Sequence, residues 1–331
     1  MATLKDVAKL ACVDVSTVSR ALSNTSYVHP ETKKRILAAV KKLSYHPNIL
    51  AKALREGKRH TIGIIIPRLH LTVFGAIAQG IEEAARKKGY SCIICHTEDD
   101  SEIEKASLTR LRNGLVDGIV VAGTGFNNHL IRDIHASGIA ITQVIRRQDS
   151  SLSSVLVDYR KNGYEAAKYL RNKGCSNIGL INGPMTLAPY KERYDGYLAA
   201  AHEFNMPVIT AASKLPVNTL EYGYKAAAEL LKRNPQLDGI MAAVDAQGIG
   251  AMRLLKEKAI KVPEQIKVIS LTGHIIGSML ETSLTAMELP SNEIGIKAAL
   301  MNIEEIEAPD GQKPSAQTLV FPCQLIERES A

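Results

Sequence analysis

From Thr61 onward, short apolar runs alternate with longer amphipathic stretches, and this alternation restricts the fold more than any other feature of the chain. IGIIIP, SCIICH, DGIVVAG (117–123), AITQVI (140–145), NIGLING (177–183), residues 208–212, DGIMAA (238–243) and KVISLT (267–272) have the form of buried strands. Helical periodicity fills the intervals at about 73–88, 102–113, 127–136, 162–173, 191–204, 221–233 and 246–257. Strands that alternate with helices predict parallel sheets covered on both faces. The strands are too many for one sheet, so two similar α/β subdomains with a cleft between them are expected. In such sheets ligands bind beyond the carboxyl ends of the strands. The short-loop candidates there are Thr124-Gly125-Phe126, Gly183-Pro184-Met185, Val244-Asp245 and Gly273-His274-Ile275.

The first sixty residues differ in character. They carry twelve Lys or Arg and four Asp or Glu, a net of +8, whereas the remaining 271 residues carry 29 basic and 30 acidic groups. A basic head on a neutral body is the electrostatic footprint of a polyanion-binding module. Within the head, LKDVAKLACVDVSTVSR (4–20) predicts two short helices joined by a tight turn at Cys12-Val13. Thr3 with Asp6 fits an N-cap pair. Leu4, Val7, Ala8 and Ala11 share one face. Asp14 is positioned to cap a second helix from Val15 to about Leu22, with Val18, Ala21 and Leu22 inward and Ser16, Thr17, Ser19 and Arg20 on its polar face. This is a helix-turn-helix pattern, whose second helix enters the major groove. Hydroxyls and an arginine fork suit phosphates and base edges. An ordinary helical hairpin with a solvated face has the same pattern.

A third helix opens at Pro30 and runs to about Leu43, with Ile36, Leu37, Val40 and Leu43 expected on its apolar face. Pro47 opens another helical stretch, Asn48 to Arg55, closed by Gly57. About two turns of isolated helix are marginal in water, so this segment should form only against a partner.

These segments together resemble the lactose-repressor (LacI/GalR) family of bacterial transcription regulators over nearly the whole chain. TLKDVAKLACVDVSTVSRAL matches the family's head, and YVHPETKKRILAAVKKLSYHPNILAKALREGK its third helix and hinge. GYEAAKYL, RYDGYLAA, EYGYKAAAELL, DGIMAAVDAQGIGAMRLL and ELPSNEIG fall at its recurring sensor motifs. The resemblance implies a small all-α helix-turn-helix head (1–46), a hinge helix and linker (47–60), and an α/β two-lobed periplasmic-binding-protein-like sensor with parallel sheets (61–331). Its lobes are expected at about 61–157 plus 287–318, and 158–286 plus 319–331. A homodimer on double-stranded DNA with a pseudo-palindromic operator is implied, together with a small-molecule effector. CQLIERESA has no sustained heptad repeat, which fits a dimer rather than a tetramer.

By that resemblance Val15, Ser16 and Arg20 occupy base-reading positions, while Thr3, Asn48 and Arg55 are backbone contacts. Thr17 belongs to the same recognition surface. Leu54 holds the place of a leucine that wedges between base steps in the minor groove, where unstacking permits a bend and further contacts. In the sensor, Arg193, three residues before Gly196, matches an effector-holding arginine. Phe74 matches an aromatic of the first sensor helix, a position that a plain core role would also explain. Asp245 matches the acidic member of an Asn-Asp pair, with Val244 in place of the asparagine. The chain departs from the family at Cys12, where glycine is usual, and at Ile275, where an effector-binding aspartate is expected. Asn218 replaces a stacking aromatic, and Arg146-Arg147 stands where an acidic residue followed by Arg is common. Fewer carboxylates and more arginine suggest an anionic effector, such as a sugar acid or sugar phosphate.

Two other functions share parts of this pattern. A sugar-binding transport protein would have the same sensor, but no export signal opens the chain and a basic head does. An α/β enzyme would need a reactive constellation; there is no P-loop, no GxSxG and no metal-ligand cluster, and neither a cofactor nor a metal is expected. Asp158, Asp245, His96 and His274 have no spacing that requires catalysis. Cys92 and Cys95 form a CxxC inside an apolar strand, and five cysteines do not suggest a disulfide framework. No apolar run approaches a membrane span, and a reducing cytoplasm is the expected location. Leu54→Ala is expected to weaken operator binding far more than binding to unrelated DNA of equal length at fixed salt. Equal losses on both in a fluorescence-anisotropy titration would remove Leu54 from the wedge role.

Overall fold

The computed structural model describes residues 2–23, 26–45, 58–69, 71–273, 275–309 and 311–331. The hinge residues Asn48, Leu54 and Arg55 lie outside the described residues, as does His274. The chain divides into two compact units, Met1–Arg59 and His60–Ala331.

The first unit contains α1 (Leu4–Ala11), α2 (Val15–Ser23) and α3 (Pro30–Lys42). Thr3 caps α1 through a complete capping box: its hydroxyl accepts from the Asp6 amide, and the Asp6 carboxylate accepts from the Thr3 amide at 2.8 Å. Cys12 ends α1 in the left-handed conformation, φ 51° and ψ 52°, so the turn keeps the geometry that glycine supplies without strain. Val7, Ala8, Ala11, Val18, Ala21, Ile36, Ala39 and Tyr45 form the core of this unit. Leu37, expected on the inner face of α3, is 49% exposed, and Ala39 packs inward instead.

The second unit holds two six-stranded sheets. The first contains β1 (Thr61–Ile66), β2 (Ser91–His96), β3 (Gly118–Val121), β4 (Ala140–Val144), β5 (Ser153–Val157) and β11 (Thr318–Phe321), in the parallel order β11-β5-β4-β3-β1-β2. The second contains β6 (Ile178–Asn182), β7 (Ile209–Ala212), β8 (Gly239–Ala242), β9 (Lys267–Ser270), β10 (Thr285–Glu288) and β12 (Gln324–Ile326), in the order β12-β10-β9-β8-β6-β7. Only β12 is antiparallel to its neighbour there. Helices α4 (Thr72–Lys87), α5 (Ser101–Arg112), α6 (Asn128–Ala136) and α12 (Ser291–Glu307) serve the first lobe. Helices α7 (Tyr159–Asn172), α8 (Ala188–Glu203), α9 (Leu220–Arg233), α10 (Asp245–Glu257) and the short α11 (Ile275–Ser278) serve the second.

The chain passes between lobes after β5, after β10 and after β11. Thr318–Phe321 pairs with β5 in the first sheet, so the last passage falls later than the expected 318/319 boundary, and β10 keeps residues 285–288 in the second lobe. Four-residue runs such as TLVF and TAME carry too little pattern to be read as strands. SCIICH, expected as a buried strand, is instead the edge of its sheet and half exposed. Alternation along that strand sends Cys92 and Cys95 to opposite faces, toward different core clusters. Burial pushes the Cys92 thiol up to about 11, so CxxC offers neither a facing dithiol nor a reactive thiolate.

Three helix pairs touch through reciprocal glycines. A Cβ on Gly163 (α7) would lie 2.2 Å from the Arg193 carbonyl oxygen, and one on Gly196 (α8) 1.9 Å from that of Arg160. Gly223 and Gly250 join α9 to α10 in the same way, as Gly80 and Gly295 join α4 to α12. Backbone, not a flexible side chain, meets each added carbon, so the helices must separate. Gly163→Ala is therefore expected to destabilise the protein by about 1–3 kcal/mol. A urea melt that overlays the wild-type curve would show that the helices can separate without cost.

Candidate nucleic-acid interface and ligand cavity

On the head, Val15, Ser16 and Arg20 are exposed on one side of α2, and Thr17 is half-buried between that side and the core. Arg20 folds back along its own helix: Nε donates to the Ser16 carbonyl and Nη2 to the Ser16 hydroxyl, both at 3.3 Å. The guanidinium is thus held against the outward face in a preset direction. Thr3 is exposed but its hydroxyl already serves the Asp6 cap, donating at 2.7 Å. The hydrogen bonds from Thr3 hold the Asp6 carboxyl below its ordinary range.

In the second unit a cavity of about 310 Å³ lies where strand ends from both lobes meet. This is near the lower end of the ~300–1,000 Å³ common for small-ligand sites. Its walls come from the residues after β1, β4 and β5 in the first lobe and after β6, β7, β8 and β9 in the second. α4, α7, α8, α9 and α10 all begin there, which aims their partially positive N-terminal ends at its contents.

Five of the expected effector residues are brought together: Phe74, Arg146, Arg193, Asn218 and Asp245 all line the cavity. Arg147 and Ile275 do not. Arg147 is exposed on the loop after β4, because the chain reverses at Ile145 and only Arg146 turns inward. Ile275 is 63% exposed beside a separate depression, and its place at the cavity wall is taken by Ile276 and Thr272. Among the described residues of the four short-loop candidates, only Val244-Asp245 contributes.

Arg193 is 3% exposed and its guanidinium lies 4.4 Å from the centre of the Tyr159 ring. Nη2 donates to the Leu271 carbonyl at 3.4 Å, and Nε has no hydrogen-bond partner. No carboxylate among the described residues makes an ion pair with it. Asp245 Oδ2 accepts from the Thr272 hydroxyl at 2.8 Å, while its buried Oδ1 is unpartnered. Asn218 Oδ1 accepts from the Tyr190 hydroxyl at 2.7 Å, which leaves the amide N–H groups as the free end of that side chain. Burial pushes the Tyr159 and Tyr190 hydroxyls above the ordinary tyrosine range, so both stay neutral donors.

Arg146 differs from Arg193. It is paired with the covered side chain of the half-buried Asp99, donates to the Gly123 carbonyl at 3.3 Å, and stands 5.9 Å from the Phe74 ring centre. Buried Gln143 holds the following loop: Oε1 accepts from the Gln148 and Asp149 amides at 2.7 and 2.9 Å, and Nε2 donates to the Asp149 carbonyl at 2.7 Å. Bonds from Ser151, followed by Arg132, hold the Asp149 carboxyl down at about 2.

Tyr159, Tyr190 and Thr272 were not among the expected residues. Tyr159 and Tyr190 stand at the first turns of α7 and α8, which begin about three residues earlier than periodicity indicates. Pro189 in the first turn of α8 was the available signal. Among the described residues there is no cluster of His, Cys, Asp or Glu suited to a metal, and no helix long and apolar enough to cross a membrane.

Residues 59–329 match the family described as periplasmic binding proteins and sugar binding domain of LacI family, and residues 3–48 match bacterial regulatory proteins, lacI family. The ribose operon repressor of Halalkalibacterium halodurans is 29% identical over 331 residues, covering 100% of this chain and 97% of that protein. The HTH-type transcriptional regulator DegA of Bacillus subtilis is 30% identical, with coverage of 99% and 97%. A crystal structure of the lac repressor dimer bound to operator and the anti-inducer ONPF shares the fold, with a TM-score of 0.87 at 20% identity and coverage of 99% and 98%.

Tyr190→Phe removes the donor that the buried Asn218 oxygen depends on. It is expected to cost about 1–3 kcal/mol of stability. An unchanged urea midpoint would mean that Asn218 finds another donor.

Proposed function

This chain belongs to the lacI family of bacterial regulatory proteins, and from that premise we propose that a small hydroxylated anion, a sugar acid or a sugar phosphate, controls it through the cavity between the sensor lobes. It is a DNA-binding transcriptional repressor, working as a homodimer on a pseudo-palindromic operator. The head supplies recognition through Val15, Ser16, Thr17 and Arg20, and the hinge with Leu54 supplies the minor-groove wedge. The observation that carries the effector reading is Arg193: a buried guanidinium at the cavity wall with no carboxylate partner and a free Nε. An uncompensated buried charge is costly, and a ligand carboxylate or phosphate answers it with strong hydrogen bonds. The converging helix N-termini favour the same sign of charge. The unpartnered oxygen of Asp245 calls for a donor, which a ligand hydroxyl provides.

Two features of the cavity modify the argument made from sequence. The charge of Arg146 is already answered by Asp99, and Arg147 is outside the cavity, so of the three arginines only Arg193 supports the anion reading. The stacking surface absent at Asn218 is supplied by Phe74, Tyr159 and Tyr190. Ligand bound against both lobes alters their relative position, and with it the spacing of the paired hinges. Ligand and operator then change each other's affinity by the same factor.

Isothermal titration of the full chain with a sugar acid, a sugar phosphate and the neutral parent sugar tests the reading. Binding of an anion without binding of the parent is the expected result; binding of the parent alone overturns it. Arg193→Ala is expected to abolish the ligand's effect on operator affinity while leaving ligand-free DNA binding within about threefold of wild type. A ligand response of normal size in that variant takes Arg193 out of the site.

A further inference from the structure

The ion pair between Asp99 and Arg146 joins two turns that are not neighbours. Asp99 follows β2 and Arg146 follows β4, and in the sheet β3 and β1 stand between those strands. At about 4.8 Å per strand the two strand ends are roughly 14 Å apart. The pair therefore spans the top of the first sheet on the side of the cavity, touching the Gly123 carbonyl at the end of β3 on the way.

Both turns have unusual backbone. Glu98 and Asp99 have φ of 55° and 63°, and Ile145 has φ of 67°. These are three of the eight non-glycine residues with positive φ in the described chain. For a β-branched residue that region is a true outlier. The Ile145 turn is tight enough for the Arg146 amide to donate to the Val144 carbonyl at 2.7 Å, a γ-turn of the strained kind. Such strain persists only where surrounding structure holds it, and it concentrates at functional sites. Here it brings one buried carboxylate, 4% exposed, to one buried guanidinium, 7% exposed.

We propose that Asp99 is the residue that sets the charge of ligand the cavity accepts. The proposal rests on the reading of this cavity as the effector site. Asp99 takes up the charge of Arg146, so Arg146 meets a ligand as a fixed, already paired group rather than as an uncompensated cation. Arg193 is left as the one cation of the wall that makes no ion pair among the described residues, since Asp245 is engaged by the Thr272 hydroxyl instead. That balance matches a ligand with one negative charge, a carboxylate, and disfavours a dianion such as a phosphate ester. Asp99 is thus a positioning and specificity residue that acts through Arg146.

The test uses the full chain with sodium sulfate as the dianion probe, against sodium chloride at equal ionic strength. Ligand that binds the folded state raises the melting temperature by an amount that grows with the logarithm of its concentration over its dissociation constant, so affinities follow from the shift measured across a sulfate series. The basic head and the general salting effect of sulfate are common to all variants, so differences between variants report the cavity. Asp99→Asn is expected to lower the melting temperature in chloride and to bind sulfate at least tenfold more tightly than wild type. Adding Arg146→Gln to Asp99→Asn should remove that gain. A sulfate affinity in Asp99→Asn equal to that of wild type overturns the proposal.

Should Asp99→Asn not fold, the exchanged pair Asp99→Arg with Arg146→Asp keeps one charge of each sign and should keep the wild-type sulfate affinity within threefold. A tenfold change in the exchanged variant overturns the proposal equally. Failure of the effector reading looks different. In that case wild type binds no sugar acid or sugar phosphate and Arg193→Ala keeps its regulatory response, while the sulfate gain of Asp99→Asn is still observed.

Discussion

Helices α7 and α8 cross where neither has a side chain, at Gly163 and Gly196, and the backbone of Arg193 rests directly on the first of these glycines. Tyr159 lies one turn before Gly163 on α7, so the same crossing brings the Arg193 guanidinium over the tyrosine ring. Were the helices spaced by ordinary side chains, at the usual 8–10 Å, that stack would open. The same device recurs at Gly223 with Gly250, between the helices that begin near Leu220 and Asp245. It recurs again at Gly80 with Gly295, behind the helix that presents Phe74. The polar groups of the cavity thus inherit their positions from close helix contacts some distance away.

Charge in the cavity is sorted by that geometry. One arginine is neutralised within its own lobe by a carboxylate, and the other is packed on an aromatic ring with no carboxylate partner. A low-dielectric wall magnifies the difference between them, because a buried charge without a partner is far more costly than a paired one. In the head the corresponding device is smaller. Ser16 holds Arg20 against its own helix, which restricts the freedom of that side chain.

Much of the fold was legible in the chain. Apart from β5 (Ser153–Val157), which was not among the expected strands, the strands and helices of 61–272 follow from β-branched runs and 3.6-residue periodicity, and the head from its caps and its basic charge. The α1 capping box forms as Thr3 and Asp6 predict. Cys12 enters the left-handed turn despite its side chain, because the packing of α1, α2 and α3 fixes the path of the chain there. Short strands such as β10 and β11 were not legible. Four residues do not establish a period, and their pairing depends on partners more than a hundred residues away in sequence for β11.

The cavity divides along the same line. Residue types and motif positions pointed to Phe74, Arg146, Arg193, Asn218 and Asp245, and these five do converge. Whether an arginine points inward or outward, as Arg146 and Arg147 do, depends on one backbone reversal at Ile145 that leaves no local mark in the sequence. Nor does sequence say that Asp99, 47 residues away, answers one guanidinium and not the other. By itself the sequence determined the family, the order of elements and the kinds of groups available to a ligand, because periodicity, capping and charge are local properties. The tertiary structure alone decided which charges are neutralised and which remain free, because that depends on distances between segments that only sheet order and helix contacts bring together.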